Sequence, residues 1–185
     1  ENYMINKKTP KEKIQEWYTQ NNMRKNFEIK LASSMKKEIN RTIKEVSNNY
    51  IIARQNSLSI ASRAHFYRVK TIIFSHWKVV TDTFRARILS SLRQITQAER
   101  KEYEDDFDRD FENFLFTSAA EKLSNISAAT MADIKMAINQ AQIDGLDVYQ
   151  TARRITELTE ISSITRAVLI ARTETHQAAN YANFT

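Results

Sequence analysis

Three sets of side chains have the types that chemistry uses, and their spacing decides what each can do. Glu174 and His176 lie two residues apart near the C-terminal end. On a helix that separation points them in different directions, so they form neither a general acid–base pair nor a metal-binding face of the HExxH kind. Asp105, Asp106, Asp108 and Asp110 form an acidic run. A calcium loop would need a central glycine and a closing glutamate, and this run has neither, so it reads as a solvated helix face. His65 and His76 are eleven apart and sit among Phe66, Tyr67 and Trp77, so they read as packed or exposed histidines. No catalytic residue, no metal site and no cofactor is expected, and the chain is read as non-enzymatic.

Composition narrows the scaffold. The 185 residues include one glycine, one proline and no cysteine. Sheet-rich folds need turn residues at most strand ends, and this chain does not supply them. Disulfides, thiol catalysis and cysteine-ligated zinc are excluded by the absence of cysteine. An Arg/Ser/Glu set of the ADP-ribosyl-transfer type would need a β scaffold that this composition does not build. No apolar run is long enough to span a membrane, and no secretory signal is visible. Glu1 at the start and Thr185 at the end read as the ends of a fragment.

The net charge is +6, unevenly spread: +5 over residues 1–50, +7 over 51–100, −7 over 101–150 and +1 over the remainder. A basic arm facing an anionic partner is one reading. Pairing of the basic and acidic segments within the fold or between subunits is the other. Between Arg63 and Arg93, basic side chains interleave with Phe66, Tyr67, Phe74, Trp77 and Phe84, with Asp82 the single acid. Arg63, Arg68, Lys70, Lys78, Arg85, Arg87 and Arg93 are therefore the candidate nucleic-acid contacts. Such contact would be independent of base sequence and sensitive to salt. No base-reading motif accompanies them. A membrane-surface role for this stripe is a further alternative.

The elements that must position these groups are helices throughout. Thr9-Pro10 reads as a helix start. Ile14, Trp17, Tyr18, Phe27, Leu31, Met35, Ile39, Ile43 and Val46 follow as one apolar stripe. Breaks are expected at Asn21-Asn22 and at Ser47–Asn49. Val69, Ile73, Trp77, Val80, Phe84 and Ile88 recur at steps of four and three, close to a heptad seam. Thr96 with Glu99 predicts a capping box for an acidic helix carrying Tyr103, Phe107, Phe111, Phe114 and Leu115. Ser127–Thr130 precedes a further helix. Gly145 is expected at its C-terminal cap, and Asp147 caps the next. A short link over 159–163 is expected before the last helix.

That last helix reads Arg166-Ala167-Val168-Leu169-Ile170-Ala171-Arg172-Thr173-Glu174-Thr175-His176-Gln177-Ala178-Ala179-Asn180-Tyr181-Ala182. The pattern RAxxIARTETHxAANxA resembles the C-terminal signature of the phage head-morphogenesis family, the Mu F-like minor capsid proteins. The resemblance covers roughly residues 120–183. It implies a virion component, made in the host cytoplasm, that acts near the portal in head assembly or in genome packaging and delivery. Its implied partners are portal or capsid proteins, with duplex DNA as an open further contact and an oligomeric or assembly-dependent state. Arg166, Arg172, Thr173, Glu174, His176 and Asn180 are the motif residues expected at structural contacts or interfaces. Two alternatives stand beside it. One is a general nucleic-acid-binding helical module. The other is the helical targeting region of an enzyme whose catalytic domain lies beyond residue 185. The expected fold is an all-α elongated bundle, with a long-helix region over 1–115 and a compact helical subdomain over 116–185.

Overall fold

The computed structural model describes residues 8–54, 56–91, 96–114 and 120–184. Every element among them is helical: α1 (Pro10–Ala53), α2 (Asn56–Ser91), α3 (Gln97–Phe114), α4 (Ala120–Ile143) and α5 (Val148–Phe184). The fold is all-α.

Local chemistry sets the starts and stops. The Thr9 hydroxyl accepts the Glu12 N–H at 3.3 Å, while the Glu12 carboxylate accepts the Thr9 N–H at 2.7 Å. Thr96 and Glu99 repeat this reciprocal pair at 3.2 and 2.7 Å, and Asp147 and Gln150 do so at 2.8 and 3.0 Å. Each box satisfies two of the N–H groups a helix start leaves free. At the end of α4, Gly145 takes φ +67°. Its N–H donates to the Gln142 carbonyl and the Leu146 N–H to the Ala141 carbonyl, the paired closure of a Schellman cap.

Four expected breaks or helix starts do not occur. α1 runs unbroken through Asn21-Asn22 and Ser47–Asn49 for 44 residues, about 66 Å at the α-helical rise. α4 runs through Ser127–Thr130, and α5 runs through 159–163. Asparagine and serine lower helix propensity only by tenths of a kcal/mol each. Neighbouring helices packed along a long element outweigh that cost.

Cross-helix bonds give the topology. Met23 meets Arg87 and Thr42 meets His65, so α1 and α2 are antiparallel. Ser47 meets Ala152 and Glu28 meets His176, so α1 and α5 are antiparallel too. Asp133 with Arg166 and Lys122 with Gln177 set α4 against α5 in the same sense. Arg85 with Asp108 and Trp77 with Phe114 place α3 along the C-terminal half of α2, again antiparallel. α3 and α4 thus follow one another in the same direction beside α2. Together with α1, α2 and α5 they make a bundle of four columns. α2 and α5 are its parallel inner pair, and α1 and the α3–α4 column flank them.

One core joins all five helices, and residues from both expected regions enter it. Leu31, Met35, Ile39 and Val46 of α1 meet Val69, Ile73, Trp77, Val80 and Phe84 of α2. Phe107 and Phe111 of α3, Leu123, Ile134 and Ile138 of α4, and Ile155 of α5 complete it. The near-heptad seam of α2 is buried as far as Phe84; Ile88 is half-buried and Leu89 is buried beyond it. α5 contributes small residues: Ala167, Ala171, Ala178, Ala179 and Ala182 are buried. Small side chains let helix axes approach closely.

The stripe at the start of α1 departs from expectation. Ile14, Trp17 and Tyr18 are more than half exposed. The α1–α5 register pairs residue 28 with 176, so the described end of α5, Phe184, comes opposite residues near 20. The first turns of α1 have no α5 face beneath them. Leu115 and Arg93 lie outside the described residues, as does the expected boundary near 115.

Candidate functional site

The motif helix is an interlocking element of the bundle. Glu174 is buried, and its Oε2 accepts the Trp77 indole N–H at 2.9 Å. Burial pushes this carboxyl up from its ordinary value, partly offset by the Trp77 hydrogen bond and the Lys122 ammonium. Thr175 is fully buried, with its hydroxyl 2.9 Å from His76 Nε2. Burial pushes the His76 imidazole down to about 4, so near pH 7 it is neutral. Arg166 pairs with Asp133 at 2.5 Å, and His176, half exposed, lies 3.3 Å from Glu28. Arg172, Thr173 and Asn180 are exposed and make no side-chain hydrogen bond or ion pair among the described residues. The motif thus divides: Arg166, Glu174 and His176 tie α5 to α4, α2 and α1, and the other three motif residues face outward.

A second polar cluster lies between α1 and α2. His65 is fully buried, with Nδ1 2.9 Å from Thr42 Oγ1 and 3.0 Å from Glu38 Oε1. The Thr42 hydroxyl donates to the same Glu38 oxygen at 2.9 Å. Arg68 closes the cluster by donating to Glu38 at 2.8 Å and to Glu45 at 2.7 Å. Burial alone would raise the Glu38 carboxyl. The hydrogen bonds from His65, Arg68 and Thr42, with the Arg68 charge, hold it below the ordinary value. His65 Nε2 is buried with no partner among the described residues. This arrangement pins the register of two long helices, a use buried polar groups serve well.

The sequence reading passed over Glu38, Thr42, Glu45 and Thr175. A signal was present for the first two. Glu38 and Thr42 sit one turn apart within the apolar run Met35, Ile39, Ile43, Val46, where a polar pair needs partners. Thr175 carries no such signal.

The candidate basic contacts are mostly committed within the fold. Arg68 is taken by Glu38 and Glu45. Arg85 pairs with Asp108 at 2.6 Å and Asp82 at 3.3 Å, and stands over the Phe107 ring at 4.8 Å. Arg87 lies 3.9 Å from Glu16, and Lys78 lies 3.6 Å from Asp82. Two remain without a carboxylate among the described residues: Arg63, which is exposed, and Lys70, whose ammonium lies 5.2 Å from the Phe74 ring centre. Phe66 and Phe74 are half-buried and Trp77 and Phe84 are core, so Tyr67 is the one exposed ring of this stretch.

The acidic helix α3 buries Phe107 and Phe111, and Phe107, Phe111 and Phe114 surround the Tyr181 ring at 5.0–5.8 Å. Glu102, Asp105 and Glu112 face outward with no cation among the described residues. Among the described residues no cluster of three or more His, Asp or Glu side chains is placed to hold a metal ion, and no helix is long and apolar enough to cross a membrane.

No family model, curated protein or solved structure matches this chain.

Proposed function

We propose that the chain is a non-enzymatic helical assembly module of a phage head-morphogenesis protein of the minor capsid kind. It acts near the portal of the virion and is present in the host cytoplasm during assembly. One observation carries this reading. The RTETH segment behind the family resemblance is the helix that locks the bundle: Glu174, His176 and Arg166 are engaged with α2, α1 and α4. A motif used in this way serves a shape, which suits an assembly component better than a catalyst.

The surface agrees with that use. The outward carboxylates of α3 and the exposed lysines of α1 give the molecule two faces of opposite charge. Such faces steer and orient protein partners. Portal and capsid proteins are the partners on this reading, with packaged duplex DNA as a further contact.

The test is particle composition. Phage particles induced from the source cells and purified by density should contain the chain in low copy, located at one vertex by antibody labelling. Particles and assembly intermediates free of it would end the proposal.

A further inference from the structure

We propose that the groove between α2 and α4 seats a phosphate of a nucleic-acid backbone, with Arg63 as its cation and serine hydroxyls as its neutral donors. The inference rests on the part of the functional reading that brings the chain against the genome.

The groove has a volume of about 430 Å³ and is lined by Ser59, Ser62, Arg63 and Tyr67 from α2, and by Ser124 and Ser127 from α4. It exists because small side chains face each other where the two helices run antiparallel. Four serine hydroxyls line it, and none makes a hydrogen bond among the described residues. Elsewhere on α2, Thr71, Thr81 and Thr83 turn their hydroxyls back onto their own helix carbonyls at 2.6–3.0 Å. Ser127 is the informative one, being only 4% exposed. Its hydroxyl is not one of the buried unpartnered groups among the described residues, so it is open to the groove, where a ligand oxygen can meet it.

Charge selects the ligand. Arg63 is exposed and unpaired among the described residues, whereas Arg68, Arg85 and Arg87 are all engaged with carboxylates. No acid lines the groove. A guanidinium beside several hydroxyl donors, with no acceptor of opposite sign, is complementary to a phosphate oxyanion. Tyr67, 61% exposed, stands one turn further along, where a base or sugar can lie against its ring. Lys70 follows on the same face, about 10 Å from Arg63 along the axis. Two cations are too few for a polybasic membrane contact, so a nucleic-acid strand is the better fit.

The experiment is fluorescence anisotropy with short labelled duplex and single-stranded DNA of several sequences, titrated from low to moderate salt. The expected result is binding that ignores sequence and weakens with salt. Arg63→Gln should weaken it roughly threefold to tenfold and lower the salt slope by about one. Arg63→Lys should recover most of the loss. Ser127→Ala should weaken binding while keeping the slope. Lys37→Gln, on the exposed face of α1, should change neither, and thermal melts should match across the set. No binding by the unaltered chain, no effect of Arg63→Gln, or an equal effect of Lys37→Gln would each overturn the proposal. So would Arg63-dependent binding to phosphatidylserine vesicles in place of DNA. A chain found in particles that does not bind DNA removes this site alone. DNA binding through Arg63 by a chain absent from particles removes the particle assignment alone.

Discussion

The indole N–H of Trp77 donates to Glu174 Oε2 at 2.9 Å, and both side chains are buried. A residue of the central α2 seam and a residue of the RTETH motif are therefore partners in one contact. Either residue read alone gives a different impression: Trp77 of an apolar core, Glu174 of a reactive acid.

This pair predicts a contrast between two substitutions. Glu174→Ala removes the acceptor and leaves the indole donor unsatisfied, which should cost about 1–3 kcal/mol. Glu174→Gln keeps an acceptor and removes the buried charge, so near pH 7 it should be as stable as the original chain or more so. The pH dependence separates the two effects. The folded carboxyl is raised above its ordinary value, so between the two values the folded state holds more protons. Stability from this group is then present at low pH and falls as pH rises above about 4.5. Urea midpoints across pH 4–8 should show that decline, and Glu174→Gln should lack it.

His76 works in the opposite direction. Its folded value is near 4, well below the ordinary 6.5, so the unfolded chain takes up the proton first. Stability from this group is complete above pH 6.5 and is lost as pH falls toward 4. In a proton NMR titration its ring signal should have a midpoint near 4, and one near 6.5 would contradict the buried geometry. His76→Gln should flatten the acid side of the stability profile.

The Arg68 cluster predicts a larger loss. Arg68→Ala strips Glu38 of its cation while Glu38 stays buried. Breaking such a pair costs on the order of 3 kcal/mol. Glu38→Gln combined with Arg68→Met should cost less than the sum of the single changes. A double-mutant cycle by denaturant unfolding measures that coupling.

What could be read from sequence was what short range decides. Thr9, Thr96 and Asp147 bond to groups three residues away, so their caps were visible without the fold. Periodicity located the faces, and Leu31 to Val46 and Val69 to Phe84 are buried as spaced. Asn21-Asn22 and residues 159–163 misled because their cost is local while the packing that overrides it is not. Ile14, Trp17 and Tyr18 misled for a related reason: periodicity marks an apolar face but not whether a neighbour reaches it. Arg85 and Arg87 read as free cations because Asp108 and Glu16 lie far away in sequence. Of the candidate basic contacts only Arg85 pairs with the acidic segment 101–150 among the described residues; Arg68, Lys78 and Arg87 find their carboxylates within residues 1–100.

Gly145 predicts a purely backbone penalty. A methyl group added there meets nothing within 4 Å, while φ is +67°. Gly145→Ala should therefore cost about 1 kcal/mol, the strain of a left-handed alanine. Gly145→Asn should cost less, because asparagine tolerates that region better. Chemical denaturation distinguishes the two.

The pairing of Arg85 with Asp108 changes what a charge reversal on α2 would report. Arg85 holds α3 against α2 through a 2.6 Å ion pair and lies over the Phe107 ring. Arg85→Glu would place a carboxylate beside Asp108 and Asp82 and remove that contact. A cost of about 1–2 kcal/mol would lower the melting temperature by roughly 2–8 °C in a chain of this size. Adding Asp108→Arg should restore part of it by reversing the pair. Any loss of DNA binding in the single variant should then be recovered in the double variant, since the damage is to packing. A DNA defect that persists after the melting temperature is restored would instead make Arg85 a direct contact.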